Sequence, residues 1–200
     1  MKKLSFLLIA LLINLLVFAQ EGYKVGDKGM DFSLKNIDGK MFSLASVKDA
    51  KGFIVVFTCN HCPFSKLYED RIIALNKEFA PKGYSVVAIN PNDVKAEPDD
   101  SFEKMQERAK EKGFTFPYLV DESQKIAKTY GAARTPHAFI LQKQGAELKV
   151  VYIGAIDNNS ESATAADKKY VEDAIHELLE GKKPTITSTK AVGCSIKWKE

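Results

Sequence analysis

Two cysteines stand two residues apart in the run Phe57-Thr58-Cys59-Asn60-His61-Cys62-Pro63-Phe64, and a third, Cys194, lies far downstream. A thiolate attacks disulfides, so a close cysteine pair can form, break and pass on a disulfide bond. Asn60 and His61 fill the gap between the two sulfurs and modulate them. An imidazolium beside Cys59 would favour its thiolate, hence the reduced form of the pair, and so raise the pair's potential. The same residues leave a second chemistry open. Cys59, His61 and Cys62 offer sulfur and nitrogen donors suited to copper or zinc, with His137 as a more distant candidate.

The flanking residues say how such a pair is positioned. Phe53-Ile54-Val55-Val56-Phe57 is continuously apolar and rich in β-branched residues, the signature of a strand buried on both faces. Beyond the pair, Phe64, Leu67, Tyr68, Ile72, Leu75 and Phe79 recur at three- and four-residue steps, which predicts an amphipathic helix. The cysteines therefore sit where a buried strand ends and a helix begins. The unpaired N–H groups and partial positive charge of that helix tip favour a thiolate.

The chain has 200 residues, 45% of them hydrophobic and 28% charged, a balance suited to one globular domain with a proper core. Lys2 and Lys3 precede an apolar run, Leu4 to Phe18, and Val17 and Ala19 supply the small residues of a cleavage site before Gln20. This is the three-part pattern of a secretory signal peptide over residues 1–19. The apolar run is shorter than the roughly 18–20 residues that span a bilayer, so no membrane span is expected after cleavage. Export implies an oxidising compartment, read here as a bacterial periplasm. The net charge is +3 with Lys2 and Lys3 included. It gives no electrostatic case for nucleic acid or an anionic membrane as a partner.

In order, Phe32-Ser33-Leu34 and Phe42-Ser43-Leu44 alternate around an Asp38-Gly39 turn and read as a β-hairpin. The strand at 53–58 and the helix from about 63 to 80 follow. Tyr84 to Ile89 is a second apolar strand. Ser101 is placed to cap a helix ending near Lys112, and Phe116 to Val120 is a short strand. Ser123 is placed to cap another helix through Tyr130. Thr135-Pro136 opens a strand, His137 to Leu141, whose hairpin partner is Leu148 to Ile153. A last helix covers about 167–180. The main domain is thus read as 20–184, with a polar tail, 185–200, that carries Cys194. Strands alternating with helices predict an α/β fold with a mixed sheet.

A strand, Cys-x-x-Cys-Pro opening a helix, and a downstream Thr-Pro ahead of a hairpin and terminal helix together resemble the thioredoxin superfamily. The front hairpin and the added helix–strand segment at about 101–120 resemble its redoxin branch, which includes AhpC/TSA-type proteins, exported TlpA-like thiol–disulfide oxidoreductases and peroxiredoxins. The resemblance covers roughly residues 24–180. It implies a thioredoxin-like fold: a central mixed sheet flanked by helices, with an N-terminal β-hairpin and an inserted helix–strand segment. It implies that Cys59 is the nucleophile and that Cys62 is the resolving thiol that closes a disulfide with it. Pro136 matches the family's cis-proline, and Thr135 would offer backbone hydrogen bonds to a substrate peptide. Protein disulfides or dithiols would be the substrates, with a separate redox partner. No organic cofactor is implied, since no Gly-rich phosphate loop follows a strand.

The chain departs from that pattern in places. Phe53 and Ser65 stand where relatives keep an acid, so water or Glu69 would have to move the proton of Cys62. His61 in place of the thioredoxin proline predicts a potential above the roughly −270 mV of thioredoxin. The Pro-x-x-x-Thr-x-x-Cys loop of peroxiredoxins is missing, although Arg134 could supply a cation, so peroxidase chemistry is not expected. Cys194 is either a free tail thiol or a third redox thiol. The competing reading is a non-catalytic thioredoxin-like module that binds copper or a protein.

Overall fold

Phe53, Ile54, Val55, Val56 and Phe57 are each 2% exposed or less, so both faces of this strand are covered. Its alternating side chains feed two cores. Ile54 and Val56 point into one, while Phe53, Val55 and Phe57 point into the other, as the two-residue period of a strand requires.

The computed structural model describes residues 22–200. The chain runs β1 (Lys28–Gly29), β2 (Ser33–Asn36), β3 (Met41–Ser43), β4 (Gly52–Phe57), α1 (Pro63–Phe79), β5 (Tyr84–Asn90), α2 (Phe102–Lys112) and β6 (Tyr118–Val120). It continues through α3 (Lys125–Tyr130), β7 (Arg134–Thr135), β8 (His137–Gln144), β9 (Glu147–Gly154), α4 (Tyr170–Leu179) and β10 (Cys194–Ser195). Eight strands form one sheet in the order β1-β9-β8-β4-β5-β6-β2-β3. β4, β5 and β6 are mutually parallel, and β8 and β9 add antiparallel neighbours. This is the thioredoxin-like mixed sheet that the sequence resemblance implies. The inserted segment has a structural task here. Its strand β6 pairs with β5 on one side and with β2 on the other, and so joins the front hairpin to the sheet.

α1 and α4 cover one face of the sheet, with Tyr68, Ile72, Leu75 and Phe79 meeting Val171, Ala174, Ile175 and Leu178 around Ile54 and Val56. The opposite face is covered by Phe32, Leu44, Ile126, Tyr130 and Ile196. The buried stripe of α1 differs from the sequence expectation. Leu67 is 49% exposed, whereas Ser65 and Glu69 are turned inward. Ser65 faces Cys59, and Glu69 is neutralised by an arginine from α2, so polar residues occupy inward positions because partners await them there.

Two expected caps are absent. Ser101 makes no side-chain cap bond to α2. At α3 the Asp121 carboxylate takes the Ala127 N–H at 2.8 Å, while Ser123 only receives the Lys125 N–H at 3.3 Å. α3 is entered through Gln124, whose φ is +59°.

The tail is the larger difference. Instead of a polar appendage, residues 187–199 lie along the domain. Ile153 N–H donates to Thr187 and Thr189 N–H returns a bond to Ile153. β10 then pairs antiparallel with β7, with Cys194 opposite Thr135 and Ser195 opposite Arg134. Among the described residues no helix is long and apolar enough to cross a membrane. The apolar run and cleavage pattern at 1–19 lie outside the described residues.

Candidate active site

The site is built by strand register. Phe57, the last residue of β4, pairs antiparallel with His137, the first of β8. Extending that register by two residues on each strand sets Cys59 opposite Thr135. The side chains meet as that register requires: Cys59 Sγ lies 3.1 Å from Thr135 Oγ1 and 3.7 Å from Ser65 Oγ. The Thr135–Pro136 peptide is cis. Cys62 occupies the N-cap position of α1 with extended backbone, and Pro63 begins the helix, where a missing N–H costs nothing.

The sulfur pairing differs from what the resemblance implies. Cys62 is bonded to Cys194, with the two Cα atoms 6.1 Å apart, and Cys59 is a free, buried cysteine. Pairing of β10 with β7 explains this. It brings Cys194 beside Thr135, and Cys62 Sγ sits 3.2 Å from the Thr135 carbonyl oxygen. The Cα separation falls within the range that a disulfide bridges without moving the backbone. Thr135 thus has Cys59 against its side chain and the Cys62–Cys194 bond against its backbone.

The thiol environment also departs from the expected one. Burial pushes the Cys59 thiol up from its ordinary value, and the Asp100 carboxylate adds to the rise. Hydrogen bonds from Thr135, the Cys62 backbone and Ser65 work in the opposite direction but do not prevail. The helix-tip and histidine argument predicts a stabilised thiolate. In this disulfide-bonded form the desolvation of a 2% exposed sulfur outweighs it.

Asp100 is the residue that sequence reasoning missed. Fully buried, it accepts the Asn60 N–H at 2.6 Å, the Asn90 side-chain amide at 3.2 Å and the Asn92 side-chain amide at 2.7 Å. His61 Nδ1 lies 2.6 Å from Oδ2, the oxygen that also takes the Asn92 amide, and His61 Nε2 lies 3.6 Å from Glu97. The imidazole is therefore turned towards two carboxylates, which offset whatever positive charge it carries. Asn60 is fixed on three sides, with the Tyr118 hydroxyl donating to its side-chain oxygen at 2.9 Å and its amide nitrogen donating to the Asp99 carbonyl. The only sequence signal for Asp100 is a polar stretch with two prolines, and nothing in that stretch points to residues 60 and 61.

Glu69 is not free to move protons. Arg108 holds both of its oxygens at 2.7 Å, and Lys112 lies 3.4 Å away. His137 is 9% exposed, and burial pushes its imidazole down to about 4, so at neutral pH it is uncharged. Its Nδ1 receives the Ala133 N–H, and its ring packs on Phe139, the arrangement of a core histidine. Arg134 reaches the tail, donating to the Gly193 carbonyl at 3.1 Å.

The chain belongs to the AhpC/TSA family, whose pattern it matches over residues 25–153. A thioredoxin-like sheet whose β4–α1 junction carries two cysteines is thereby tied to a family by sequence as well as by shape. Among solved structures, a conserved protein from Geobacillus kaustophilus is 39% identical, with a TM-score of 0.81 over 88% of this chain and 93% of that one. A protein from Sinorhizobium meliloti 1021 is 34% identical, with a TM-score of 0.81 over 90% of this chain and 97% of its own. Among curated proteins, the thiol-disulfide oxidoreductase ResA of Geobacillus thermodenitrificans is 26% identical over 76% of this chain and 90% of its own length.

Proposed function

We propose that this chain is a thiol–disulfide oxidoreductase of exported proteins, with Cys59 and Cys62 as the exchanging pair and Cys194 as a third redox thiol. The observation that carries this reading is a free Cys59 beside a disulfide, Cys62–Cys194, at the junction of β4, α1 and the cis-proline turn. The similarity to ResA supports the reaction class. The basic and apolar N-terminal pattern, Lys2 to Ala19, supports export to the periplasm.

Cys59 loses its proton and its thiolate attacks a sulfur of a substrate disulfide. The departing substrate sulfur takes a proton. Cys62, freed beforehand when a dithiol redox partner reduces the Cys62–Cys194 bond and becomes a disulfide itself, attacks the mixed disulfide, so that the substrate leaves as a dithiol and the Cys59–Cys62 disulfide remains. Within the chain, Cys59 can also attack Cys62 and displace Cys194, which exchanges one disulfide for another with no net oxidation. Thr135 and Pro136 are the residues against which a substrate segment would lie. Asn60 and His61 modulate the pair, with the imidazole counterbalanced by Asp100 and Glu97.

Insulin reduction by the full chain tests this. Loss of turnover in both Cys59→Ser and Cys62→Ser is expected, and mixed disulfides should accumulate on Cys62→Ser in the exporting cell. Wild-type inactivity would overturn the reading. Equilibration with glutathione gives the potential, for which a value above that of thioredoxin is expected.

One observation favours a second reading, a metal-binding module. Ligand atoms of Cys59, His61 and Asp100 lie within 4.8 Å of one another. The set differs from the one expected, since Asp100 stands in for Cys62. Copper or zinc binding by dialysis, abolished in Cys59→Ser together with an absence of insulin reduction, would favour it.

A further inference from the structure

The tail carries features that thiol exchange alone does not require. Gly193 lies flat against the backbone before the cis-proline, where a Cβ would come within 2.2 Å of the Thr135 carbonyl oxygen. Only glycine allows so close an approach. Ile196 is 4% exposed and belongs to the core of its face, although its neighbours are polar. Beyond it the Lys197 carbonyl receives the Asp93 N–H at 2.9 Å and the Gln124 side-chain amide at 2.7 Å. The Lys197 N–H donates to Asn92 at 2.9 Å, and the Lys199 N–H donates to Gln124 at 2.8 Å. Residues 193–199 are therefore held along the domain, and within them Cys194 and Ser195 pair antiparallel with Thr135 and Arg134, the cysteine in register with Thr135.

We infer that residues 193–199 act as a pseudo-substrate that fills this chain's own peptide-docking edge, latched by the Cys62–Cys194 disulfide. The inference rests on the reading of Thr135 and Pro136 as the docking residues. It adds that the edge is closed in the disulfide-bonded form and opens for an extended, cysteine-bearing segment of another protein when Cys194 is released. Release by a dithiol protein balances directly. Two electrons and two protons pass to Cys62 and Cys194, and the dithiol becomes a disulfide. Added strands of this kind draw affinity from main-chain hydrogen bonds and selectivity from alternate side chains. The tail itself shows the pattern the edge accepts: a glycine before the cysteine and an aliphatic residue two positions after it.

Hydrogen exchange on the full chain, with and without a phosphine reductant, tests the latch. Amides of residues 193–199 are expected to exchange at least tenfold faster after reduction, while β4 and β8 stay protected. The variant Cys194→Ser should behave as the reduced chain does without reductant. A biotinylated peptide of residues 190–200 with serine in place of cysteine should bind the reduced chain and not the disulfide-bonded one. Equal tail protection in both redox states, or equal peptide binding, would overturn the inference. The two readings fail separately: a redox-dependent tail without insulin reduction removes the oxidoreductase reading alone, and insulin reduction with a redox-independent tail removes the latch alone.

Discussion

Asn92 holds Asp100 through its amide nitrogen, at 2.7 Å, and presents its amide oxygen to the Lys197 N–H of the tail, at 2.9 Å. One side chain thus connects the acid beneath His61 to the segment that covers the cysteines. The Asn92→Ala variant leaves a buried carboxylate oxygen and a tail N–H short of a partner. Unfolding in urea is expected to show a loss of about 1–3 kcal/mol.

Asp100 adds a negative charge near a sulfur that must itself become negative in order to react. Replacing it by asparagine keeps the size of the side chain and removes that charge. In Asp100→Asn the Cys59 thiol should titrate at lower pH than in the wild type, because the repulsion from Asp100 is one of the causes of its raised value. Thiolate absorbance or the pH dependence of alkylation reads this. The potential of the pair should rise in parallel, since a more stable thiolate favours the reduced form.

Arg108 is the main counterion of Glu69, whose side chain is only 5% exposed. Arg108→Ala leaves that carboxylate with Lys112, 3.4 Å away, as its remaining counterion and is expected to cost about 3 kcal/mol in unfolding experiments, the low end for a broken buried pair. Adding Glu69→Gln to Arg108→Ala should recover a large part of the loss, which a purely steric role for the arginine would not allow.

His137 makes folding sensitive to acid. Its folded-state value of about 4 lies below the ordinary 6.5, so between those pH values the unfolded chain takes up a proton that the folded chain refuses. Stability should therefore fall as pH drops from about 6.5 to about 4 and level off below, by about 3 kcal/mol in all. Urea midpoints across that range, compared with His137→Asn, isolate the contribution of this residue.

The strands and helices that position the cysteines were legible in the sequence because each buries a periodic apolar set. β4 reads as a doubly covered strand, but its pairing with β8, Phe57 opposite His137, comes from the structure. The inward turn of Ser65 and Glu69 was not legible, since periodicity alone assigns polar residues to the outside. It depends on Cys59 and Arg108 arriving from elsewhere. Asp100 was equally hidden, because its partners come from two segments distant in sequence from each other, the β4–α1 loop with Asn60 and His61 and the end of β5 and the loop after it with Asn90 and Asn92. In the tail, Cys194 and Ile196 alternate with polar residues, which is a strand-like pattern, but two or three residues are too few to announce a strand. What they pair with depends on a docking edge that exists only after the cis-proline turn has formed. The pairing of Cys62 with Cys194 could not have been read from spacing, since three cysteines permit three bridges and the Cys-x-x-Cys resemblance favours Cys59–Cys62 instead.

The bond between Cys62 and Cys194 spans 132 residues, and this has a consequence in time. A chain is made from its N-terminus at about 5–20 residues per second, so Cys194 is synthesised roughly ten seconds after Cys59 and Cys62. In an oxidising compartment the two early cysteines would have only each other within reach. A tail that arrives after such a pair has bonded would enter by displacing Cys59 from Cys62. That order of events leaves the first cysteine free without any further oxidant, so the arrangement seen in the folded chain is one that its own synthesis can deliver.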